Sequence, residues 1–204
     1  RQILNAKQLS MLFKNIEGFN HCERDRLVIA LTYYCALRIG EVAQLKWSDV
    51  VDNNLLPQSQ ITFKKEQVKG KEPQRVLVSK RCRAEINRYL KFYIANKGKI
   101  DFNKHLIMTQ RNSPFTANSL CIHINAVYRK ANLPHVTSHS GRKSYITSLA
   151  NKAVNVKVIM KLARHKNLST TQKYIEVLCW FIIFPTYFFI CLIIFRIYSI
   201  HLVA

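Results

Sequence analysis

"RDRLVIALTYYCALRIGEVAQLKWSDV", residues 24–50, is the stretch that sets the fold class. Leu27, Ile29, Ala30, Leu31, Tyr34 and Leu37 recur at helical intervals and predict a core-facing helix. "IGEVAQL" predicts a second, short helix that runs into "KWSDV". Arg38 stands at the junction of the two, with Glu41 three residues on. An arginine in such a place is by itself most often a surface or salt-bridge residue, and Glu41 its intrahelical partner. Its meaning depends on what the rest of the chain offers.

On the N-terminal side, "LNAKQLSMLFKNI" spaces Leu4, Leu9, Leu12 and Ile16 as another buried helix face. On the C-terminal side, the turn formers of "VDNNLLPQSQ" break the period, and two short β-like runs follow, "ITFK" and "RVLVS". The basic, Gly-containing link "KEQVKGKEPQ" joins them, which predicts an antiparallel hairpin with a long, positively charged turn. Helical spacing returns in "RAEINRYLKFYI" and in "TANSLCIHINAVYRKANL", the latter with Thr116 as a candidate N-cap. "RKSYITSLAN" and "VKVIMKLAR" predict two more helices. "STTQ" reads as a capping box, Ser169 with Gln172, opening the helix that carries Tyr174. The predicted fold class is mainly α with a small antiparallel β-sheet, an α+β domain.

A chain of 204 residues with 49% hydrophobic side chains can bury a sizeable core, so disorder is not the expectation. Lys and Arg number 32 against 11 acids, a net charge of +21, and beyond Val177 the single base of that set is Arg196. The positive charge therefore belongs to the first 177 residues and attracts polyanions, nucleic acid or an anionic membrane surface. A basic face kept for solubility is the plainer alternative. Six scattered cysteines show no CxxC pair and no zinc spacing, so they read as reduced core thiols of a cytoplasmic protein. There is no P-loop or acidic cluster, and no cofactor or metal is expected. The chain opens at Arg1 without a secretory signal, which suggests a fragment or a processed form.

Chemistry-bearing residues concentrate in four places: "LRIGE", "VKGKEPQRVLV", "HSGR" and "HKNLSTTQKY". His139 and Arg142 stand three apart, and His165 precedes Tyr174 by nine residues. Each is weak alone. Together and in this order they resemble the tyrosine recombinase, or phage integrase, family. Its signature is an Arg in an LRxxE box, a Lys in a β-hairpin turn, HxxR, and a His or Trp nine residues before a Tyr. The resemblance spans about residues 3–176. It implies an integrase-like catalytic domain over residues 1–176, followed by an apolar tail over 177–204.

The resemblance implies the catalytic set Arg38, Lys69, His139, Arg142, His165 and Tyr174, with Lys65 and Lys71 as close rivals to Lys69 and Glu41 as a brace. Physical chemistry supports these residue types. Breaking a phosphodiester requires neutralising charge that grows on non-bridging oxygens, and guanidinium forks do so through paired hydrogen bonds. Imidazoles can donate further bonds or move the tyrosine proton. A phenol with a pKa of about 10 attacks only with a positive field or a base nearby. A lysine on a hairpin turn can protonate the departing 5′ oxygen. The implied reaction is DNA cleavage and rejoining through a 3′-phosphotyrosyl intermediate, without ATP or metal, by a site-specific recombinase or integrase of a mobile element. Its implied partner is double-stranded DNA, held by a tetramer on two DNA sites. A topoisomerase-like nicking-closing enzyme and a catalytically impaired DNA-binding remnant are the rival readings.

Three features depart from the family pattern. Arg164 and Ala36 occupy positions where glycine is usual, and the N-terminal helical domain that closes around DNA in the family is not in this sequence. The tail "VLCWFIIFPTYFFICLIIFRIYSIHLVA" holds no Gly, Lys, Asp, Glu, Asn or Gln, where relatives carry a polar, amphipathic segment. Its uncharged run, Val177–Phe195, approaches the ~20 residues that span a bilayer. A membrane anchor so close to Tyr174 would press DNA against headgroups. A frame-shifted or read-through end, a membrane segment and a hydrophobic packing segment remain the three readings of this tail.

Overall fold

The structure, a computed structural model, describes residues 2–63, 73–172 and 174. It opens with α1 (Ala6–Ile16), whose N-cap Asn5 accepts from the Gln8 backbone N–H while the Gln8 side chain accepts from that of Asn5. This reciprocal capping box satisfies two donors that a helix start would otherwise leave unpaired. Leu9, Leu12, Phe13 and Ile16 face the core, as the spacing predicts.

α2 (Cys22–Cys35) is the central helix, and residues on all its sides are buried, Arg24 and Asp25 among them. Arg24 Nε donates to Asp25 Oδ1 at 2.9 Å and Nη1 donates to the Met108 carbonyl at 3.1 Å, so the two charges enter the interior already paired. The expected core positions Leu27, Ile29, Ala30, Leu31 and Leu37 are buried, whereas Tyr34 is half-buried. Ala36 ends the helix in the left-handed region at φ 52°, with its N–H bonded to the Leu31 carbonyl. α3 (Ile39–Gln44) and α4 (Trp47–Val50) follow at once. Trp47 is fully buried and stacks on Tyr89 at 5.6 Å between ring centroids.

β1 (Gln60–Phe63) and β2 (Gln74–Leu77) form the antiparallel pair expected from the two β-like runs, in register Gln60 with Leu77 and Phe63 with Gln74. Ile61, Phe63 and Val76 point into the core, while Gln60, Thr62, Arg75 and Leu77 point outward. α5 (Lys80–Lys97), capped by Ser79, packs along α2, and two bidentate pairs tie the helices: Arg26 with Glu85, and Arg88 with Glu23. α6 (Ala117–Lys130) starts at Thr116, whose Oγ1 accepts from the Ser119 N–H at 3.1 Å, so the expected cap is the cap. α6 packs against α3, where a Cβ built on Gly40 would lie 3.2 Å from that of Ala117.

α7 (Ser140–Asn151), α8 (Val156–Ala163) and a helical turn from Leu168 complete the described chain. Residues through Tyr145 and residues from Ile146 onward form two compact units, so the division falls within α7. The main core, running from Leu4 to Val136, belongs to the first. In the second, Ile146, Ile159, Ala163 and Thr171 are buried. The turn that carries Tyr174 begins at Leu168, so Ser169 lies inside the helix and the capping box expected of Ser169 and Gln172 does not form its start. The expected boundary between Glu176 and Val177 and the apolar tail lie outside the described residues. Among the described residues, no helix is long and apolar enough to cross a membrane.

Gly141 sets how closely α7 approaches α2. A Cβ there would meet Thr32 Oγ1 at 2.5 Å and the Tyr33 backbone nitrogen at 3.1 Å. Thr32 cannot swing aside freely, because it is β-branched in a helix and its hydroxyl donates to the Ile29 carbonyl at 2.9 Å. Gly141→Ala is therefore expected to destabilise the protein by about 1–3 kcal/mol through overpacking. A urea titration should show a lower midpoint at unchanged slope. Gly18→Ala, where nothing lies within 4 Å of the added carbon, should leave the midpoint within about 0.5 kcal/mol.

Candidate active site

Three of the six candidate residues are described residues of the first unit. Arg38 sits between α2 and α3 in extended backbone, at φ −74° and ψ 147°. Its backbone N–H donates to Glu41 Oε2 at 2.8 Å and its Nη1 donates to Glu41 Oε1 at 2.7 Å. Glu41 is 6% exposed and the Arg38 side chain 43%. The carboxylate thus holds both ends of the arginine, its backbone and its guanidinium, while the charge still reaches the surface. The brace expected of Glu41 has this double form, more than the simple i, i+3 pair its spacing suggests.

Arg142, in the first turn of α7, is 7% exposed, and its Nη1 donates to the Ala36 carbonyl. That carbonyl is turned out of the α2 ladder by the left-handed conformation of Ala36. One consequence is that Arg142 is anchored two residues from Arg38 along the chain. His139 stands just before α7, is exposed, and lends its carbonyl to the Lys143 N–H at 3.0 Å. His139 and Arg142 are therefore adjacent at one helix start, yet one side chain is at the surface and the other is buried.

The segment around His139 is held from α6. Asn125 Oδ1 accepts from the Ser138 N–H at 2.9 Å, and Ser138 Oγ lies 3.2 Å from Cys121 Sγ. Ser140 Oγ accepts from the Thr137 N–H at 3.0 Å, and Ser144 Oγ donates to the Ser140 carbonyl at 2.8 Å. These supports escape a reading of motifs, because Asn125 and Cys121 lie on a helix whose sequence signal is an apolar face.

His165 and Tyr174 lie in the second unit. α8 ends at Arg164 in the left-handed region, φ 55° and ψ 46°, and the His165 N–H then donates to the Met160 carbonyl at 3.0 Å. Glycine favours that conformation, so the family's usual residue at this position has a physical reason, and here a buried arginine adopts the same backbone. His165 Nδ1 lies 2.9 Å from Thr171 Oγ1, and its ring stacks against Tyr174 at 6.0 Å and 22°. Thr171, which motif reasoning passed over, is fully buried. Its signal in the sequence is its place one helical turn before Tyr174.

Lys69 and its rivals Lys65 and Lys71 lie outside the described residues, within the connection between Phe63 and Gln74. A groove of about 1210 Å³ beside the hairpin is lined by Asp52, Thr62, Arg75, Lys80 and Arg83 and contains none of the candidate residues. Of the cysteines, Cys35 and Cys82 are buried and Cys22 and Cys121 half-buried, all as thiols. A side-chain hydrogen bond with Cys35 that favours the protonated thiol, and then burial, push Cys82 well up. Among the described residues, no three His, Cys, Asp or Glu side chains group closely enough to hold a metal ion.

Comparison with known proteins bears on this arrangement. The family model described as "Phage integrase family" matches residues 2–179. The chain is 26% identical over 178 residues to tyrosine recombinase XerC of Staphylococcus epidermidis, covering 86% of this chain and 57% of that protein. It is 31% identical over 159 residues to tyrosine recombinase XerA of Pyrococcus horikoshii, covering 76% and 50%. The crystal structure of XerH site-specific recombinase bound to its difH substrate superposes with a TM-score of 0.65 at 22% identity, over 85% of this chain and 50% of that one. The chain thus spans about half the length of these relatives. The ordered boxes and the α+β fold that carries them have one common account: the chain belongs to the phage integrase family.

Proposed function

We propose that this chain is the catalytic part of a site-specific DNA recombinase that cleaves and rejoins strands through a 3′-phosphotyrosyl intermediate. The observation that carries the reading is the separate anchoring of two arginines beside the end of α2. Glu41 clamps Arg38 at both its backbone and its guanidinium, and Arg142 is anchored on the carbonyl two residues before it. Cations fixed in this way stabilise charge that develops on a phosphate without reorganising during the reaction. The recombinase names of the relatives and the DNA bound to the XerH structure give further support.

In this reading Arg38 and Arg142 hold the non-bridging oxygens of the scissile phosphate. The Tyr174 hydroxyl attacks phosphorus, forming the phosphotyrosyl bond as the bond to the 5′ oxygen breaks. Lys69 protonates that leaving oxygen, and His139 and His165 donate hydrogen bonds or take up the tyrosine proton. Rejoining reverses the steps, with a 5′ hydroxyl as nucleophile and Tyr174 as leaving group. The bond energy is conserved throughout, so no nucleotide is consumed. The partner is double-stranded DNA, engaged by a homo-oligomer, a tetramer on two sites, in the cytoplasm. Residues 1–176 form the catalytic domain and residues 177–204 a separate tail.

A nicked suicide duplex tests the reading, because loss of the short leaving fragment traps the covalent complex. Wild type should yield an adduct stable to denaturant, and Tyr174→Phe should yield none. DNA binding without an adduct would leave a DNA-binding remnant, and relaxation of supercoils without exchange between two labelled duplexes would indicate a nicking-closing enzyme. Arg38→Lys keeps the charge but loses the fork. It should slow single-turnover cleavage by at least about 10-fold, with the melting temperature little changed. The affinity for non-cognate duplex should fall steeply with salt, by about 10³-fold or more between 50 and 200 mM if six or more phosphates are neutralised.

A further inference from the structure

We infer that Thr171 is a positioning residue that holds His165 as a hydrogen-bond donor through its Nε2 nitrogen. The inference deepens the proposed function and rests on it for its kinetic consequence. Thr171 Oγ1 and His165 Nδ1 are 2.9 Å apart, and the threonine side chain is wholly buried. Among the described residues the hydroxyl has no other partner. A buried hydroxyl proton without an acceptor is costly, so on a neutral imidazole the Oγ1–H donates to Nδ1. The ring proton then resides on Nε2, which makes that nitrogen a donor toward an anionic oxygen. When the imidazole is charged, the same hydroxyl rotates and accepts from Nδ1–H. Both protonation states therefore keep one ring orientation.

The placement of Thr171 is what makes this hold effective. It lies on the helical turn that also carries Tyr174, and the His165 ring lies against the Tyr174 ring at 6.0 Å. The turn between α8 and that helix is closed by the left-handed Arg164 and by the bond from the His165 N–H to the Met160 carbonyl. His165 is thus fixed at its backbone from α8 and at its ring from the tyrosine helix. A bond to the second ring nitrogen is the general means by which a working histidine is oriented.

Thr171→Val keeps the shape and removes the hydroxyl, while Thr171→Ser keeps the hydroxyl. The valine variant should bind the nicked duplex as wild type does and cleave it about 10-fold more slowly in single turnover. The serine variant should cleave within about threefold of wild type. In parallel, ¹⁵N spectra of the imidazole should show His165 Nδ1 as a hydrogen-bonded acceptor in wild type and Ser, and shifted toward an unbonded nitrogen in Val. Wild-type cleavage by Val, or a serine variant as slow as Val, would overturn the positioning role. An Nδ1 resonance identical in all three proteins would overturn the hydrogen bond itself. If wild type forms no adduct, the recombinase reading fails, and the spectra alone still decide whether Thr171 holds His165.

Discussion

The bond from the buried Arg142 guanidinium to the Ala36 carbonyl is the constraint on which the first unit's share of the candidate site depends. A helix end leaves carbonyls without intrahelical donors, and a buried guanidinium needs acceptors in fixed directions. Each need meets the other at the end of α2. The arrangement requires α7 to approach α2 at backbone distance, which Gly141 allows and a methyl group there would prevent. Glu41 then holds the chain two residues further on, by taking both the Arg38 N–H and its guanidinium. Glu41 and Arg142 are both buried, and a buried charged group that loses a partner costs far more than an exposed pair contributes.

Two positions where the family's usual residue is glycine, Ala36 and Arg164, both have left-handed backbone here. A non-glycine residue in that region costs about 1–2 kcal/mol. The chain accepts this cost at the two turns that deliver a candidate residue: Ala36 precedes Arg38, and Arg164 precedes His165. In each case the backbone N–H at the turn is bonded back to its helix, Ala36 to Leu31 and Arg164 to Lys161. The turn geometry is therefore imposed by helix closure, and the residue type adapts to it. Strain confined to a functional turn is stable only where the surroundings over-determine it, and burial of both residues provides that.

Most of this was legible in the sequence, for reasons that differ by element. The faces of α1 and α6 announce themselves by period, and Thr116 by its chemistry, because capping is local. α2 was legible as a helix although its period is blurred, since a helix buried on every side has no polar face to mark. The letters around Ser169 point to a later start of the Tyr174 helix than the observed one. "STTQ" has the letters of a capping box, but a box needs its first residue outside the helix, and the turn already begins at Leu168. The candidate residues stand out because guanidinium, imidazole and phenol in one order are uncommon. Thr171 and Asn125 do not stand out, because a hydroxyl or amide gains its role only from what the fold places opposite it.

The charge distribution links stability to binding. Among the described residues six acids are committed internally: Glu23 to Arg88, Asp25 to Arg24, Glu41 to Arg38 and Glu85 to Arg26, with Asp49 and Asp52 taking backbone N–H groups. The hydrogen bonds and charge of Arg88 hold the Glu23 carboxyl below its ordinary range, so the pairing is felt electrostatically as well as geometrically. Each such ion pair neutralises one cation, and those of Glu23 and Glu85 also tie α2 to α5. Such pairing leaves the net charge of the chain at +21. Self-repulsion of that size opposes folding, and a polyanion that binds the folded chain relieves it. By mass action, bound DNA would then stabilise the fold as well as serve as its substrate, so that stability and proposed function depend on the same excess of charge.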